Sequence, residues 1–507
     1  MKPHLPTLLR AALLLSLFLP AQAALTWNSG DWNTTDASWL ENAAPAVFSN
    51  GDEVEFTPAA TSTSVLITET VEPGSVLISG SGFVFSGAGS IGGSGGLTLL
   101  SGASLVVENA NAFTGGTVVN AGASVTINQY DSLGTNNAVG TSFGPVSGAG
   151  QLVVNLADAS TPASIFRENL ADFTGTLYVQ RGNVALGRAP QHAGAGQDAS
   201  FAASRVNVGT AGTFTLTLGG GVAGLVTNKS FASEVRTENG ATIGNRDGHV
   251  NWSGDVYLNM QDVTAAIPVY NEAASTVFSM YYSKFIVWDG VVNGSGVLAL
   301  SAGTLDAGGD HRLVLTNNAN TFTGAYHVRG EYLSSLALAA ENAAAGADVQ
   351  LDAQNSRLVL MNTSATINEL NGPAGVVMAE GRSACVLTLS GGNYAGAVKD
   401  SSAAVAGLSL GITKVGSGAL QLSGTNCTYT GKTTVKGGNV QFTGDTTLGS
   451  VDMAAGTRLS TGGNLTLRPR AALSFDLTGT GGAAIQSGGS LSLQNINLYI
   501  LCFLSSQ

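Results

Sequence analysis

Two short segments bring together a histidine, an aspartate and an arginine, which are residue types that bind metals or transfer protons. They are Arg246-Asp247-Gly248-His249 and Asp310-His311-Arg312, and glycine lies within or just before each of them. A metal or catalytic site needs about three or more ligands that converge. Neither segment supplies them locally, so the sequence predicts that both are solvated turns rather than sites.

A group of carboxylates near the N-terminus raises the possibility of calcium binding. It consists of Asp52, Glu53 and Glu55. Calcium takes about six to eight oxygen ligands, and no loop of that kind surrounds these residues. They are therefore expected to form part of a polar N-terminal cap.

An enzyme that cleaves polysaccharides would need clustered carboxylates on one face, or a calcium site with a basic residue. The 33 acidic and 21 basic residues are scattered along the chain, and no such row can be assembled from the sequence. The repeat spacing could still bring Asp247, Asp255 and Asp289 together, so the possibility stays open. No catalytic, cofactor-binding or metal-binding residue is assigned, and no cofactor is expected.

Two other features have a chemical and a structural interpretation. Trp27, Trp32 and Trp39 could stack on sugars, although burial near the start of the fold is the stronger expectation. The glycine-rich string from Gly87 to Gly96 is similar in spacing to a phosphate-binding loop. Because no helical pattern follows it, these glycines are predicted to occupy turns.

The three cysteines, Cys385, Cys427 and Cys502, are widely spaced and include no C-x-x-C pair. An odd number leaves at least one of them unpaired. They are expected to be small buried apolar residues. A bridge between Cys385 and Cys427 stays open if adjacent coils bring the two together.

The composition indicates the kind of fold that would position such residues. Glycine supplies 68 of 507 positions, about 13% against roughly 7% in average proteins. Charged residues are only 11%, the apolar fraction is 44% and the net charge is −12. The negative charge disfavours nucleic-acid binding, and the abundance of Gly, Ser, Thr, Asn and Val disfavours helices. An all-β protein is therefore expected.

An internal repeat consists of an aromatic residue, threonine and glycine, followed by a short alternating strand and a closing glycine. The four clear copies begin with Phe113-Thr114-Gly115, Phe173-Thr174-Gly175, Phe322-Thr323-Gly324 and Tyr429-Thr430-Gly431. The closing glycines are Gly122, Gly182, Gly330 and Gly438. The aromatic residue is expected to pack along the axis of a stack, and the glycines to permit positive φ at sharp turns.

One such unit is too small to bury its own apolar face, and stacking of neighbouring units solves this problem in a solenoid. At roughly 20–25 residues per coil the chain would make on the order of 20 coils. The irregular spacing of the copies predicts insertions at Ala189–Ser204 and at Leu336–Val349. The second segment is rich in alanine and is predicted to form a short helix on the outside.

The N-terminus has the pattern of a secretory signal peptide. Lys2 and Arg10 provide the positive charge, Ala11–Leu19 the apolar stretch and Ala21-Gln22-Ala23 the cleavage pattern. Cleavage is predicted after Ala23, which places the mature chain outside the cell or on its surface. Beyond this segment no apolar run is long enough to predict a transmembrane helix.

The repeats resemble the autotransporter-associated β-strand repeat. The best match runs from Thr413-Lys414-Val415-Gly416-Ser417-Gly418 to Tyr429-Thr430-Gly431 and Gly438, and a second copy covers Gly95–Ile127. The resemblance implies a right-handed parallel β-helix that is exported to the surface of a bacterium with two membranes, and it implies no enzyme activity. A full autotransporter ends in a membrane barrel, whereas the last apolar segment here is the short Ile496–Leu504. Release, anchoring by another protein or a truncated sequence would each account for this difference.

Four segments are thus predicted: a signal peptide (1–23), an N-terminal cap with the first coils (24–80), the β-solenoid (81–495) and a short apolar C-terminal segment (496–507). The expected function is that of an exported structural or adhesion-type β-helix whose surface ligand, a glycan or a protein, is unknown. The alternative is a carbohydrate-active β-helix that cleaves or binds polysaccharide.

Overall fold

The computed structural model describes residues 24–129, 131–134, 144–157, 163–165, 170, 172–187, 203–217, 229–245, 250–280, 285–302, 310–401, 407–477 and 481–501. Within these residues the chain is all-β and forms a parallel β-solenoid of about 16 turns. The predicted signal peptide, the 246–249 segment, residues 189–202 of the first predicted insertion and Cys502 lie outside the described residues.

The first third of the chain forms β1 (Leu25–Trp27), β2 (Asp31–Trp32), β3 (Trp39–Glu41), β4 (Ala44–Ala46), β5 (Glu53–Phe56), β6 (Ser64–Ile67), β7 (Thr70–Val71), β8 (Ser75–Ile78), β9 (Phe83–Ser86), β10 (Ser90–Ile91), β11 (Gly96–Leu99), β12 (Ser104–Val107), β13 (Thr117–Val119), β14 (Ser124–Ile127), β15 (Val146–Ser147), β16 (Gln151–Asn155) and β17 (Ala163–Ile165). The middle third forms β18 (Thr176–Gly187), β19 (Arg205–Thr217), β20 (Lys229–Phe231), β21 (Glu234–Glu238), β22 (Thr242–Asn245), β23 (Val250–Trp252), β24 (Val256–Met260), β25 (Ser275–Met280), β26 (Phe285–Trp288), β27 (Val292–Gly294), β28 (Val297–Ala302), β29 (His311–Leu315), β30 (Ala325–Val328), β31 (Ser334–Leu338), β32 (Asp348–Leu351) and β33 (Ser356–Met361). The last third forms β34 (Ala365–Thr366), β35 (Leu370–Asn371), β36 (Val376–Glu380), β37 (Cys385–Leu389), β38 (Gly392–Tyr394), β39 (Ala397–Lys399), β40 (Leu410–Lys414), β41 (Ala419–Leu422), β42 (Thr433–Val435), β43 (Asn439–Phe442), β44 (Thr446–Leu448), β45 (Val451–Met453), β46 (Arg458–Thr461), β47 (Leu465–Leu467), β48 (Ala472–Asp476), β49 (Ala484–Ser487), β50 (Leu491–Ser492) and β51 (Asn497–Leu501).

Strands of successive coils pair in parallel, and equivalent residues lie directly above one another. Val54, Val76 and Leu97, for example, occupy the same position in three coils, 22 and then 21 residues apart. In the middle of the chain Ile243 pairs with Phe278, 35 residues later. These longer coils explain why the stack has about 16 turns and not the predicted 20 or so.

The core is a continuous column of apolar side chains inside the stack. Along many of the strands, such as β8 and β12, buried and half-exposed residues alternate, because successive side chains point to opposite faces of a sheet. The repeated aromatic residues Phe113, Phe173, Phe322 and Tyr429 are all buried, which confirms their predicted position inside the stack.

The N-terminal end is closed by strands that run against the others. β3 pairs antiparallel with β1 and with β4, and it carries Trp39, which packs against Trp27 and Trp32 with ring centroids 5.0 and 5.3 Å apart. All three tryptophans are fully buried, as expected. Glu53 and Glu55 lie on β5, which is stacked between β1 and β8. The antiparallel strands therefore cover this end, and the expectation that the acidic residues do so was wrong.

The helix predicted within Leu336–Val349 is also absent. The segment contains the end of β31, a turn and the start of β32. Ala343, Ala344 and Ala347 in this turn are buried against the core. Their small side chains let the turn pack inward, which is a different use of alanine from the external helix that the composition suggested.

Glycines of the repeat serve two distinct purposes. The closing glycines, such as Gly122 and Gly438, have positive φ (79° and 62°), as predicted. The glycine that follows the aromatic residue and threonine, such as Gly175 or Gly324, does not have a positive φ. A Cβ on Gly175 would lie 1.9 Å from the carbonyl oxygen of Gly150, and one on Gly324 would lie 2.0 Å from that of Gly296. Here glycine is required because the backbone of the next coil passes too close for any side chain.

Gly324→Ala tests this close approach. The methyl group would force adjacent coils apart, and we expect a loss of roughly 1–3 kcal/mol in the free energy of unfolding, as for an overpacked core. The matched control is Gly444→Ala, because a Cβ at Gly444 meets nothing within 4 Å. Chemical denaturation measures both variants, and equal stabilities would contradict the steric explanation.

Lys414, the lysine of the best repeat, is buried in the inward row of β40 between Leu389 and Val435. Its Nζ donates hydrogen bonds to the carbonyl oxygens of Val415, Gly416 and Gly437 at 2.6, 3.0 and 3.2 Å. The ammonium group thus satisfies turn carbonyls of two coils. Hydrogen bonds from a charged donor are stronger than those between neutral groups, so this buried lysine stabilises the turn that follows its strand.

Lys414→Met keeps the apolar stem and removes the donor. We expect the free energy of unfolding to fall by about 1–3 kcal/mol, because three hydrogen bonds from a charged donor to turn carbonyl oxygens are lost. Lys432→Met is the control, since Lys432 is half exposed and forms only a surface ion pair with Asp452 at 2.7 Å, worth roughly 0–1 kcal/mol. A Lys414 variant as stable as the control would show that the three hydrogen bonds contribute nothing.

Candidate functional site

An outward surface that combines tyrosine, asparagine and arginine side chains lies on the coils in the middle of the stack. The strand register places Tyr178, Asn207, Arg236, Tyr257 and Asn293 at the same position of five successive coils. The residues just before the first four of them are buried in the core, so this column points away from it. We call these five residues the tyrosine face. Adjacent members are roughly 4.8 Å apart along the stack, the usual spacing of paired strands.

Arg236 is the centre of this face. Its Nε donates to Oε1 of Glu234 at 2.5 Å, and its guanidinium carbon lies 5.2 Å from the ring centroid of Tyr257. Arg205 donates to the same carboxylate oxygen at 2.7 Å. The Arg236 side chain is only 6% exposed. A guanidinium group this buried is stabilised by its carboxylate partner and by the negative face of the aromatic ring.

A long insertion, the 261–274 loop, folds back toward this face. It begins with an antiparallel bridge between Met260 and Tyr270. Nη1 of Arg236 donates to the carbonyl oxygen of Ala265 at 2.7 Å, and Val263 is fully buried. At the tip, Ile267 is 78% exposed. The insertion gives this coil its unusual length, and Arg236 holds it in place.

The ionisation of the face follows from its neighbours. Burial, with added repulsion from Glu238 and Asp262, raises the pKa of Tyr178 to about 12. Burial, with Glu234 and Asp255 nearby, also raises the pKa of Tyr257. Both phenols therefore stay protonated at neutral pH and can donate hydrogen bonds.

The carboxylates are already engaged in hydrogen bonds. Hydrogen bonds from the hydroxyl and backbone of Thr264 lower the pKa of Asp262, which is therefore charged at neutral pH. Glu238 accepts from Thr210 at 3.2 Å and from the backbone of Val263 at 3.3 Å. The surface thus combines neutral phenols, amides and fixed charges. This combination suits hydrogen bonding and stacking better than proton transfer, which needs a carboxylate poised near neutral pH.

The sequence left open that Asp247, Asp255 and Asp289 come together, and the structure describes two of these three residues. Asp255 and Asp289 precede equivalent strands of adjacent coils, and each is held by its own partners. Asp255 accepts from the backbone of Val291 at 2.8 Å, and Asp289 accepts from Asn251 at 3.1 Å. Asp247 lies outside the described residues. No group of three or more His, Cys, Asp or Glu side chains that could hold a metal occurs in the part of the chain that the structure describes.

The segment Asp310-His311-Arg312 is not the solvated turn that was predicted. His311 begins β29 and is fully buried. Arg312, 5% exposed, forms ion pairs with Asp310 and with Glu380, which lies on β36. Its guanidinium carbon lies 5.0 Å from the ring centroid of Phe285 in the coil below. Both buried arginines thus pair with carboxylates and lie over an aromatic ring, on different sheets of the stack.

The two cysteines that might have formed a bridge are free thiols. Cys385 pairs with Leu410 on one sheet, whereas Cys427 bridges to Val398 on another. Burial raises the pKa of Cys427 to about 11. This thiol is therefore protonated at neutral pH and is a small packed residue, as expected, rather than a nucleophile.

A second outward feature is a shallow groove of about 360 Å³ near the N-terminal end. It is lined by hydroxyl side chains from successive coils and by one buried aromatic ring: Thr57, Thr63, Ser79, Ser81, Ser101 and Phe83. None of these side chains is charged at neutral pH. The groove is therefore an uncharged surface of mixed polar and apolar character.

Comparison with family models, with curated proteins and with solved structures found no match for this chain. In the described residues no helix is both long and apolar enough to cross a bilayer. The tyrosine face had no motif by which the sequence could reveal it. Its members are 29, 29, 21 and 36 residues apart, and only the strand register brings them together.

Arg236→Gln tests whether this arginine fixes the loop. The variant loses the ion pair with Glu234 and weakens the bond to Ala265. Because a charge-assisted hydrogen bond contributes about 1.5–3 kcal/mol, we expect amide hydrogen exchange in the 261–274 loop to accelerate roughly tenfold or more. Arg205→Gln is the control, since Arg205 shares the Glu234 partner and forms no described bond to the loop. Similar exchange in both variants would show that the loop is held by other contacts.

Proposed function

We propose that the chain is an exported structural or adhesion-type rod that contacts another surface through its side. The observation that carries this proposal is the solenoid of about 16 turns with one continuous apolar column inside it. The N-terminal pattern supports export, and the repeat resemblance supports display at the surface of a bacterium with two membranes.

A carbohydrate-active role is the second candidate, and the tyrosine face favours it. Aromatic rings with adjacent amide and hydroxyl donors suit the stacking and hydrogen bonding of sugars. Tyr178, Tyr257 and Asn293 are partly exposed, so a glycan could contact the side of the stack at these three coils. Asn207 and Arg236 are buried between them and would support this surface without meeting the sugar. The carboxylates near the face are already paired or hydrogen-bonded, which favours binding over cleavage.

Purified chain, collected after export, should begin at Ala24 by mass spectrometry and should bind at least one surface polysaccharide in a panel without releasing reducing ends. Tyr178→Ala with Tyr257→Ala should weaken that binding about thirtyfold, because each of the two aromatic contacts contributes roughly 1 kcal/mol. Tyr332→Ala is the matched control, a partly exposed tyrosine outside the face.

The outcomes separate the two candidates. Binding without cleavage that depends on the two tyrosines supports an adhesive rod with a glycan-contacting side. Release of reducing ends by the wild-type chain would support the carbohydrate-active alternative. Absence of binding to the panel and to intact cells would overturn the adhesive role, and a chain that retains its leader inside the cell would overturn export.

A further inference from the structure

A second outward column, made of amide side chains, runs along the later part of the stack. The residues just before two of its members, Leu420 and Val440, are fully buried in the core, so the column points away from it. It lies on β32, β35, β38, β41 and β43, none of which contributes to the tyrosine face. We call its members the amide face. The strand register places one of them on each of five successive coils: Gln350, Asn371, Asn393, Gln421 and Gln441.

The last three amides of this face are not used by the fold. Asn393 and Gln441 are exposed and Gln421 is half-buried, and none of the three side chains forms a hydrogen bond within the described residues. The first two amides differ, because Gln350 donates to Asp352 at 2.6 Å and Asn371 donates to Glu369 at 3.4 Å. An amide has two donor hydrogens and an acceptor oxygen. Three successive coils thus present unused donors and acceptors about 4.8 Å apart.

The surroundings of these three amides are small and uncharged. The strands that carry them, β38, β41 and β43, contain no charged residue. The residues two positions away along the chain share the outward side, and they are Gly391, Ala419 and Asn439 before the amides and Ala395, Ser423 and Thr443 after them. This surface has no large apolar side chain. An interface with another protein usually has an apolar core, so the surface favours a polar ligand over a second protein chain.

Charges occur only at the two ends of the amide face. Asp348, Asp352 and Glu369 lie beside the first two coils, and Arg458 lies on the coil after Gln441, where it pairs with Asn439. The excess is negative, so an acidic polymer along this face would be repelled. An uncharged polymer meets no such repulsion.

We propose that the amide face is a binding site for an uncharged linear polysaccharide that lies along the axis of the stack. One sugar unit of an extended chain is similar in length to the step between coils, so successive sugars can meet successive amides. Hydroxyl and acetamido groups of sugars both donate and accept hydrogen bonds, which matches the two functions of an amide. The site is separate from the tyrosine face and does not depend on it.

Calorimetric titration with β-1,4-linked oligosaccharides of glucose and of N-acetylglucosamine tests this inference. The full chain carries Tyr178→Ala with Tyr257→Ala, so that the tyrosine face cannot account for binding. Affinity for at least one series should rise with length up to about five sugars, one for each coil of the face, and then level off. An acidic polyuronate of equal length should bind about tenfold more weakly or not at all.

The amides themselves are tested by replacement. Gln421→Ala with Gln441→Ala should weaken binding about tenfold or more, because the hydrogen bonds of two amides are lost. The matched control is Gln129→Ala with Gln151→Ala, which removes two glutamines of earlier coils that are exposed and half-buried. Thermal unfolding should be similar for both variants, since the fold uses neither pair of side chains.

A change of selectivity gives a second measurement. Gln421→Glu keeps the shape of the side chain but replaces its donors with a negative charge. It should weaken binding of the uncharged chain and strengthen binding of the deacetylated, cationic chain of the same linkage, which damage to the fold would not do.

Four results would overturn the inference: no binding of either uncharged series, equal losses in the amide and control variants, an acidic chain bound as tightly as an uncharged one, or self-association of the chain that the amide variant abolishes. The last result would identify a second copy as the occupant. Binding at the tyrosine face of the wild-type chain can persist in each case, so this inference and the proposed function fail separately.

Discussion

The close approach of successive coils is the constraint on which the rest of this structure depends. Paired strands lie about 4.8 Å apart, so wherever the backbone turns a corner, the atoms of one coil lie directly on those of the next. Gly290 follows this rule most plainly, because a Cβ there would lie 2.0 Å from the carbonyl oxygen of Gly254, itself a glycine of the coil below. The surplus of glycine is therefore a requirement for stacking and does not indicate a loose chain.

The same constraint decides where polar and charged groups can lie. An inward position repeats on every coil, so a charge there must find its partners among nearby backbone groups, as Lys414 does with three carbonyl oxygens. An outward charge meets the side chains one coil above and below. Arg236 and Arg312 are buried because each lies over an aromatic ring of a neighbouring coil and beside a carboxylate. The low charge content thus agrees with a ladder in which like charges would repel.

Local repeats could predict the stack, because an aromatic residue, threonine and glycine recur in four clear copies, and in each copy a second glycine closes the short strand. The same local patterns could not predict the number of coils or the outward columns. Between Tyr178 and Asn293 the coils vary in length, and a register that differs by one residue would turn every side chain to the opposite face. The acidic group at Glu53 and the alanines near Ala343 were misjudged for a related reason. Composition describes polarity, whereas position in the stack decides whether a residue covers an end or fills the core.

Function in such a stack is most readily acquired through insertions. Inside the column a change in one residue disturbs the coils on both sides, and at corners such as Gly290 and Gly324 only glycine fits. An extra segment, however, can leave the stack and return, as the 261–274 loop does between β24 and β25, without breaking the parallel pairing of the strands that flank it. The loop is also where an arginine, two carboxylates and three tyrosines come close to one another. These polar and aromatic groups lie together at this long coil because the insertion supplies residues beyond those that stacking requires.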